Sequence, residues 1–460
     1  MAAKTQRRER ADVVSTTEGQ RHGVLFNFLT SVSLCLRGKE NHRVFASLRS
    51  SILMLMCLVV PSFGEFRFPM PEFSTGYEHP AVHTPEPSNA MVGWDVAVLI
   101  GALALASFLV LKRRKRNEIL LLTLFSMVYF GFIRNGCVCS VGSVQNIIAG
   151  MVDSTYGVPL TVLVFFAAPL VFALFFGRVF CASVCPLGAI QEAVAFKPVK
   201  VPPAVEKVLS VFPFIYLGLT ALSVVMGAGF IICQYDPFVG FFRMGASFGM
   251  LVFGGLMLVL GIFVARPYCR FLCPYGVLLN WCSKLSRRHA VITPTDCITC
   301  HLCADSCPYN AINEPTPAAE PEARSTGARR LGLLILLVPV LVAVGVGVGS
   351  LLKEPLSRMH PNVQLAERVA GEELGRYEGT NIESEAFRGS DQPIDDLYAE
   401  ALELKEGFGI GGMWLGAFIG LVIGCKLISI SILRKREGYE PDRGTCYSCG
   451  RCFKYCPVKE

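Results

Sequence analysis

The stretch CYSCGRCFKYCP (446–457) contains four cysteines, Cys446, Cys449, Cys452 and Cys456, followed by a proline. A second stretch, CITCHLCADSCP (297–308), repeats the C-x2-C-x2-C-x3-C-P spacing with Cys297, Cys300, Cys303 and Cys307. Three thiolates at i, i+3 and i+6 wrap one face of a cubane, and the proline then turns the chain away from it. The spacing therefore predicts iron–sulfur ligation in both stretches, which we call the upstream run (297–307) and the downstream run (446–456).

Two such runs together form a two-cluster ferredoxin, in which the fourth cysteine of each run ligates the other cluster. We therefore predict one [4Fe-4S] cluster on Cys297, Cys300, Cys303 and Cys456. We predict a second [4Fe-4S] cluster on Cys446, Cys449, Cys452 and Cys307. Structural zinc is the alternative, but zinc sites usually pair two short C-x2-C or C/H knuckles.

The composition predicts a membrane protein with small polar parts. The chain has 460 residues, of which 52% are hydrophobic and 17% are charged, and its mean hydropathy is +0.48. The net charge of +7 does not indicate nucleic-acid binding, because the basic residues lie beside apolar runs. The nineteen cysteines are closely spaced, which favours metal ligation over a disulfide framework.

Seven apolar runs have about the length needed to cross a bilayer. They lie near 93–111, 118–134, 159–177, 209–232, 248–265, 331–352 and 409–433. We predict a mainly α, polytopic helical membrane protein with a small α+β, two-cluster ferredoxin-like cytoplasmic head that is split across the sequence.

The predicted segments, in chain order, are as follows: a basic N-terminal segment without assigned function (1–50), a short anchor or signal-like segment (51–63), an extracytoplasmic segment (64–92), a transmembrane core (93–290), the first ferredoxin half (291–330), a transmembrane helix (331–352), an acidic extracytoplasmic loop (353–407), a last transmembrane helix (408–433) and the second ferredoxin half (434–460).

The distribution of basic residues predicts the orientation of the spans. KRRKR (112–116), RKR (434–436) and the basic connections 178–208 and 266–330 all fall on one side, which the positive-inside rule assigns to the cytoplasm. The loop 353–407 falls on the other side and has thirteen Asp and Glu against six Lys and Arg. Two spans separate the cysteine runs, so both runs return to the cytoplasmic face. We therefore predict a multi-pass protein of the bacterial inner membrane.

Two further motifs have the form C-x3-C-P. GRVFCASVCPLGAIQE (177–192) contains Cys181 and Cys185, and ARPYCRFLCPYGVLLN (265–280) contains Cys269 and Cys273. The two pairs could supply four thiolates to a further cluster or metal, act as redox dithiols, or be buried helix-end thiols. The nearby Arg178, Arg266 and Arg270 could lower thiolate pKa values, although ordinary positive-inside anchoring is the favoured explanation.

RNGCVCSVGSVQN (134–146) is a degenerate third copy of this motif on the predicted outer side. Its Cys139, Gly142 and Gln145 align with Cys185, Gly188 and Gln191. These repeats indicate a duplicated hairpin core. Cys137, Cys139 and Cys233 are accordingly candidates for a metal or redox role on the outer side, with simple packing as the alternative.

Other cofactors lack a sequence signature. None of the seven histidines falls in the middle of a predicted span, so membrane haem is not expected. The only C-x-x-C-H match, Cys297 to His301, belongs to the upstream run. No phosphate-binding loop or dinucleotide fingerprint is present, so ATP and NAD sites are not expected either.

The two C-x3-C-P hairpins followed by paired ferredoxin runs resemble the NosR/NapH-type membrane polyferredoxins. The resemblance covers roughly 93–310 and the downstream run. It implies a membrane electron-transfer component of anaerobic respiration that carries two cytoplasmic [4Fe-4S] clusters. Members of the NosR type also have an outer flavin-binding domain. The outer segment 64–92 is too short for that domain, so FMN on this chain is not expected.

The predicted function is electron transfer between cytoplasmic [4Fe-4S] clusters and a membrane or extracytoplasmic redox partner. The predicted partners are membrane lipid and redox proteins, such as a quinol-linked or flavoprotein donor or acceptor. An electron-transfer subunit is favoured over a stand-alone enzyme. Two alternatives stay open: a copper-handling reductase for metalloenzyme assembly, and a redox-sensing membrane regulator.

Overall fold

The computed structural model describes residues 89–458, apart from 137–138, 154–155, 197, 244, 293–296, 317–323, 391, 433–435 and 437. The predicted segments 1–50 and 51–63, most of 64–92, and Cys137 lie outside the described residues.

Helices dominate the described residues. In chain order they are α1 (Asn89–Phe108), α2 (Arg116–Ser126), α3 (Ser143–Val152), α4 (Leu160–Phe176), α5 (Pro186–Val194), α6 (Pro203–Leu209), α7 (Phe212–Val225), α8 (Ile231–Tyr235), α9 (Val239–Arg243), α10 (Phe248–Phe263), α11 (Pro267–Phe271), α12 (Tyr275–Lys284), α13 (Leu302–Ser306), α14 (Arg324–Leu351), α15 (Lys353–Ser357), α16 (Pro361–Glu373), α17 (Ile382–Arg388), α18 (Ile394–Ser431) and α19 (Arg451–Tyr455). π-Helical turns continue α1 and α2 over Leu109–Arg113 and Met127–Ile133, and a third covers Phe180–Val184.

Five helical segments are long and apolar enough to cross a membrane, which confirms the helical membrane class. They are Gly93–Arg113, Arg116–Ile133, Pro203–Val225, Ser325–Leu351 and Ile394–Ser431. The other two predicted spans correspond to α4 and α10, which have only 17 and 16 residues. At about 1.5 Å per residue these two helices are roughly 24–26 Å long, less than the ~30 Å hydrocarbon core.

The last two spans form a close hairpin, α14 against α18. Gly345 packs on the backbone of Gly416, and Gly349 packs on that of Gly412. A β-carbon at Gly345 or Gly416 would overlap the carbonyl of the partner glycine, so the glycines permit this approach.

The acidic connection between these spans is folded. Helices α16, α17 and the first turns of α18 share a core made of Val363, Ala366, Val369, Phe387, Leu397 and Ala401. Helix α18 begins at Ile394, inside the segment predicted as a loop, and runs without interruption through the predicted last span. The apolar face of its first turns covers α16, which explains why the helix starts before the membrane-spanning part.

The only strands in the described residues are β1 (Ile312–Asn313) and β2 (Glu440–Pro441), which pair antiparallel. Ile312 lies opposite Pro441, and Asn313 lies opposite Glu440. This short ladder joins the chain that follows the upstream run to the chain that precedes the downstream run.

Candidate metal centres

The two cysteine runs pack against each other after the hairpin α14–α18 returns the chain. Cys303 of the upstream run and Cys456 of the downstream run are buried in one apolar cluster with Ile292 and Tyr439. The β1–β2 ladder lies beside this cluster. The apolar cluster and the ladder therefore both hold the two runs side by side.

Two cavities lie between the runs, and each mixes cysteines from both. One is lined by Cys446, Cys449, Cys452 and Cys307, together with apolar residues. The other is lined by Cys297, Cys300, Cys303 and Cys456. Each cavity thus collects three thiols of one run and the last thiol of the other.

The two runs adopt the same backbone conformation. Thr299 and His301 in the upstream run have positive φ angles of 51° and 63°, and Ser448 and Gly450 in the downstream run have 52° and 72°. Such left-handed residues between the cysteines turn the chain around a central point. At Ser448 the backbone N–H donates to Cys446 Sγ over 3.4 Å, and cluster thiolates typically accept such bonds.

The two C-x3-C-P motifs face each other in the protein interior. Cys181, Cys185 and Cys273 are buried, and Cys269 is partly buried. Burial raises the pKa of Cys185 well above its ordinary value, and the neighbouring thiols of Cys269, Cys181 and Cys273 raise it further. Four clustered thiols suit a positively charged metal or cluster, because the free thiolates would repel one another without solvent screening.

The arginines of the two motifs cross over to the opposite motif. A β-carbon on Gly188 would lie 3.3 Å from the Arg266 guanidinium, and a β-carbon on Gly276 would lie 3.3 Å from the Arg178 guanidinium. Arg178 and Arg266 are 5% and 1% exposed. The sequence-based interpretation of these residues as interfacial anchors is therefore wrong, because both side chains are in the interior.

These buried arginines bond to the cysteine segments. Arg266 donates to the carbonyls of Cys181 and Ala182, and Arg178 donates to the Gly444 carbonyl over 3.1 Å. The Arg178 guanidinium also stacks 4.3 Å from the centre of the Tyr447 ring. Their positive charges lie beside thiols that would be ionised as ligands.

Glu192 is a buried carboxylate that sequence reasoning missed. Its Oε1 accepts from Arg116 (2.8 Å) and Arg451 (2.9 Å), and its Oε2 accepts from Arg266 (3.2 Å). The Tyr309 hydroxyl also donates to Oε2 over 3.2 Å. Burial opposes ionisation, but the guanidinium groups of Arg451, Arg266 and Arg116 hold the pKa of Glu192 well below its usual range.

Glu192 thereby joins five parts of the chain: α2, both C-x3-C-P motifs, the downstream run, and the residues directly after the upstream run. A carboxylate in so apolar a region needs such partners. The sequence contained one signal for this site. The first C-x3-C-P motif ends in the acidic residue Glu192, whereas the second motif has Asn280 at the equivalent position.

The cysteine runs also contact the C-x3-C-P motifs directly. The Tyr447 hydroxyl, next to Cys446, donates to the carbonyl of Cys269 over 3.0 Å. Arg270 donates to the carbonyls of Pro308 and Tyr309, over 3.1 and 3.2 Å. The thiols of the runs and those of the motifs therefore belong to one continuous packed region.

The third motif copy repeats the contacts of the first. Gln191 accepts from the Tyr268 N–H over 3.0 Å and donates to Cys269 Sγ over 3.2 Å. Gln145 accepts from the Ile232 N–H over 2.8 Å and donates to Cys233 Sγ over 3.4 Å. Cys139 and Cys233 therefore have positions equivalent to those of Cys185 and Cys269.

Among the described residues, no three His, Cys, Asp or Glu side chains approach closely enough to hold a single metal ion. The thiolates that ligate a cubane surround a cluster of eight atoms, so they lie further apart than the ligands of one ion. The donor set in each cavity, four cysteines and no histidine or carboxylate, is that of an iron–sulfur cluster.

Comparison with known protein families identifies two 4Fe-4S binding domains. One profile matches residues 158–202 and 246–292, which contain the two C-x3-C-P motifs. Another 4Fe-4S binding domain profile matches residues 290–313, which contain the upstream run. Together with the helices, these matches define a membrane-spanning iron–sulfur protein.

Three relatives show how far the similarity extends. The uncharacterized protein MJ0750 of Methanocaldococcus jannaschii is 30% identical over 200 residues, which are 40% of this chain and 79% of that protein. The putative electron transport protein YccM of Escherichia coli is 27% identical over 181 residues, 35% of this chain and 49% of YccM. The regulatory protein NosR of Stutzerimonas stutzeri is 26% identical over 261 residues, 48% of this chain and 34% of NosR.

The chain belongs to the NosR/NapH-type membrane polyferredoxins. These similarities support an iron–sulfur electron-transfer role. The chain spans only about a third of NosR and half of YccM. No solved structure matches the chain.

Proposed function

We propose that this chain carries two [4Fe-4S] clusters in a ferredoxin-like head on the cytoplasmic face of the inner membrane. The head exchanges electrons with a redox partner, such as a quinol-linked protein or a flavoprotein. The observation that carries the proposal is the composition of the two cavities, since each combines three thiols of one run with the last thiol of the other.

The linings of these cavities support the following ligand sets. Cys297, Cys300, Cys303 and Cys456 hold the first cluster, and Cys446, Cys449, Cys452 and Cys307 hold the second. A bound [4Fe-4S] cluster supplies one-electron chemistry. The protein positions the clusters and provides N–H donors to the ligand sulfurs.

The C-x3-C-P quartet, Cys181, Cys185, Cys269 and Cys273, holds a further cluster in this proposal. The contact between Tyr447 and the Cys269 carbonyl, at 3.0 Å, favours electron exchange between the cavity lined by Cys446 and this quartet. Arg178 and Arg266 compensate the charge of the ligand thiolates there, because both guanidinium groups are buried beside them.

Cysteine substitutions test the crossed ligand sets. Each variant, Cys456→Ser and Cys307→Ser, is purified with its clusters and compared by EPR and iron analysis with Cys425→Ser, an exposed thiol on α18. We expect Cys456→Ser to remove the EPR signal that Cys300→Ser removes, and Cys307→Ser to remove the other. If Cys456→Ser instead abolishes the signal that depends on Cys449, ligation stays within each run and the proposal is wrong.

Iron analysis also counts the clusters. About eight irons per chain correspond to two cubanes, and about twelve correspond to a further cubane on the C-x3-C-P quartet. Reporter fusions near residue 300 and at residue 458 test the orientation. If the two reporters were active on opposite sides of the membrane, the two cysteine runs could not form one ferredoxin-like head.

A further inference from the structure

Two cysteines outside the clusters, Cys139 and Cys233, converge on one glycine. A β-carbon at Gly142 would lie 3.2 Å from Cys233 Sγ and 3.9 Å from Cys139 Sγ. Both sulfurs therefore border the same small space, which stays open because residue 142 has no side chain. The two cysteines come from segments 94 positions apart in the sequence, so the tertiary fold alone brings them together.

Each of these sulfurs accepts a hydrogen bond. The Gly142 N–H donates to Cys139 Sγ over 3.4 Å, and the Gln145 side-chain amide donates to Cys233 Sγ over 3.4 Å. Gln145 is itself held by the Ile232 N–H. Donors directed at sulfur favour the thiolate, which is the reactive form of cysteine. At Cys139, burial and the nearby Asp236 outweigh this effect and raise the pKa to about 12.

The site is a copy of the C-x3-C-P quartet with half of its thiols. When Cys139 is aligned with Cys185, Asn135 is aligned with Cys181. When Cys233 is aligned with Cys269, Pro237 is aligned with Cys273. Phe132 and Phe230 likewise replace the two buried arginines, Arg178 and Arg266. Two thiols do not provide the four ligands of a cubane. The chemistry open to two adjacent thiols is disulfide formation and exchange.

The two thiols differ in exposure, as exchange chemistry requires. Cys233 is exposed and Cys139 is partly buried. In thiol–disulfide exchange an accessible cysteine attacks the substrate, and a neighbouring, less accessible cysteine resolves the mixed disulfide.

One side chain connects this pair to the C-x3-C-P quartet. The hydroxyl of Tyr268, the residue before Cys269, donates to Asp236 Oδ2 over 3.5 Å. Asp236 follows Cys233 by three residues, and the Phe238 ring packs edge-to-face on Tyr268 with centroids 5.5 Å apart. Tyr268, Asp236 and Phe238 are all buried. A single packed layer therefore separates the two sets of thiols.

We propose that Cys139 and Cys233 form a redox-active disulfide that accepts electrons from the iron–sulfur centres and reduces disulfide-bonded substrates on the side opposite the ferredoxin-like head. Two one-electron transfers from the iron–sulfur centres and two protons break the S–S bond and give two thiols. The Cys233 thiolate then attacks a substrate disulfide, and one substrate sulfur leaves as a thiol. Cys139 displaces the second substrate sulfur, which re-forms the Cys139–Cys233 bond and completes a two-electron reduction.

The pairing of the two cysteines is tested first, and this part does not depend on the proposed function. The holoprotein in lipid nanodiscs is oxidised with diamide, alkylated, digested and analysed by mass spectrometry. We expect a peptide that links Cys139 to Cys233, lost in Cys139→Ser and Cys233→Ser and unchanged in Cys425→Ser. A link from Cys139 to Cys137 instead, or no link at all, overturns the proposal.

The supply of electrons rests on the proposed function and is tested separately. Oxidised protein receives dithionite, EPR records cluster reduction, and alkylation counts the thiols recovered at Cys139 and Cys233. We expect both thiols to be recovered in holoprotein but not in iron-depleted protein. Equal recovery without iron, or reduced clusters with an intact disulfide, refutes the electron link while the cluster assignment stands. If no cluster signal forms at all, the proposed function fails, and the diamide result still decides the pairing.

Discussion

Replacing Glu192 by glutamine removes one negative charge from a site that holds the guanidinium groups of Arg116, Arg266 and Arg451. The amide has nearly the same shape as the carboxylate, so the substitution changes charge with little change in packing. The Glu192 and Arg266 side chains are 2% and 1% exposed. Solvent therefore cannot compensate the cations that lose their partner.

The expected cost follows from this burial. Removing one partner of a buried ion pair costs about 3–5 kcal/mol, because an uncompensated charge is left behind. That corresponds to a change of roughly 10²-fold to 10⁴-fold in the folding equilibrium. Since Glu192 joins both cysteine runs to the C-x3-C-P motifs, we also expect the variant to retain less iron.

The pH dependence has a defined sign. The pKa of Glu192 in the folded protein is held well below its usual range by the three arginines, against the effect of burial. The stabilisation is therefore complete above the unfolded pKa, about 4.3, and is lost as the pH falls through the folded pKa. The stability difference between wild type and Glu192→Gln should stay constant from pH 7 to about pH 5 and shrink only in stronger acid.

Thermal unfolding of the purified holoprotein in detergent, combined with iron analysis, measures the effect. Asp305→Asn is the matched control, since Asp305 lies in the upstream run and pairs with Lys200 over 3.1 Å, with the two side chains 73% and 45% exposed. This exposed pair should contribute about 0–1 kcal/mol. If Glu192→Gln unfolds no earlier than Asp305→Asn, the carboxylate does not neutralise the arginines and the reasoning is refuted.

Three further substitutions, the first with a matched control, test individual contacts. Gly416→Ala should push α14 away from α18 and lower the stability by about 1–3 kcal/mol in thermal unfolding. Gly347 has open space around it, so the control Gly347→Ala should leave the stability unchanged or raise it by up to about 1 kcal/mol. Equal effects of the two substitutions would exclude the close glycine contact. Tyr447→Phe removes the hydrogen bond to the Cys269 carbonyl but keeps the ring, so we expect the stability to fall by about 0.5–1.5 kcal/mol while both EPR signals remain. An unchanged melting temperature would contradict this expectation. Asn381→Ala removes the capping box of α17 and should lower the stability of the acidic helical segment by about 1 kcal/mol, measured by hydrogen exchange; unaltered exchange would show that the cap contributes nothing.

Local spacing was enough to predict several features of this protein. The C-x2-C-x2-C-x3-C-P runs predicted the cofactor class because thiolates at those intervals suit a cubane, and the 4Fe-4S profile that matches residues 290–313 agrees for the upstream run. The seven apolar runs predicted helices because an uninterrupted apolar run of this length satisfies its backbone hydrogen bonds in lipid by forming a helix. The alignment of Gln145 with Gln191 predicted a third motif copy, and the two glutamines do make equivalent contacts.

The sequence did not predict Glu192 as a central residue or the crossed positions of Arg178 and Arg266. A basic residue at the end of a span looks the same in the sequence whether it faces lipid headgroups or a buried carboxylate. Only packing distinguishes the two cases, because the partners Arg116 and Arg451 are far from Glu192 along the chain. The early start of α18 was missed for a similar reason, since its acidic first turns are covered by α16.

Cofactor class and membrane character were thus determined by the amino-acid sequence alone, because both depend on residues that are neighbours along the chain. The crossed cysteine sets were predicted from the paired spacing of the two runs, and the linings of the two cavities have the same composition. Which cations share a carboxylate and the approach of Cys139 to Cys233 were decided by the tertiary structure. These contacts join segments that only the packing of helices brings together, and no local pattern encodes that packing.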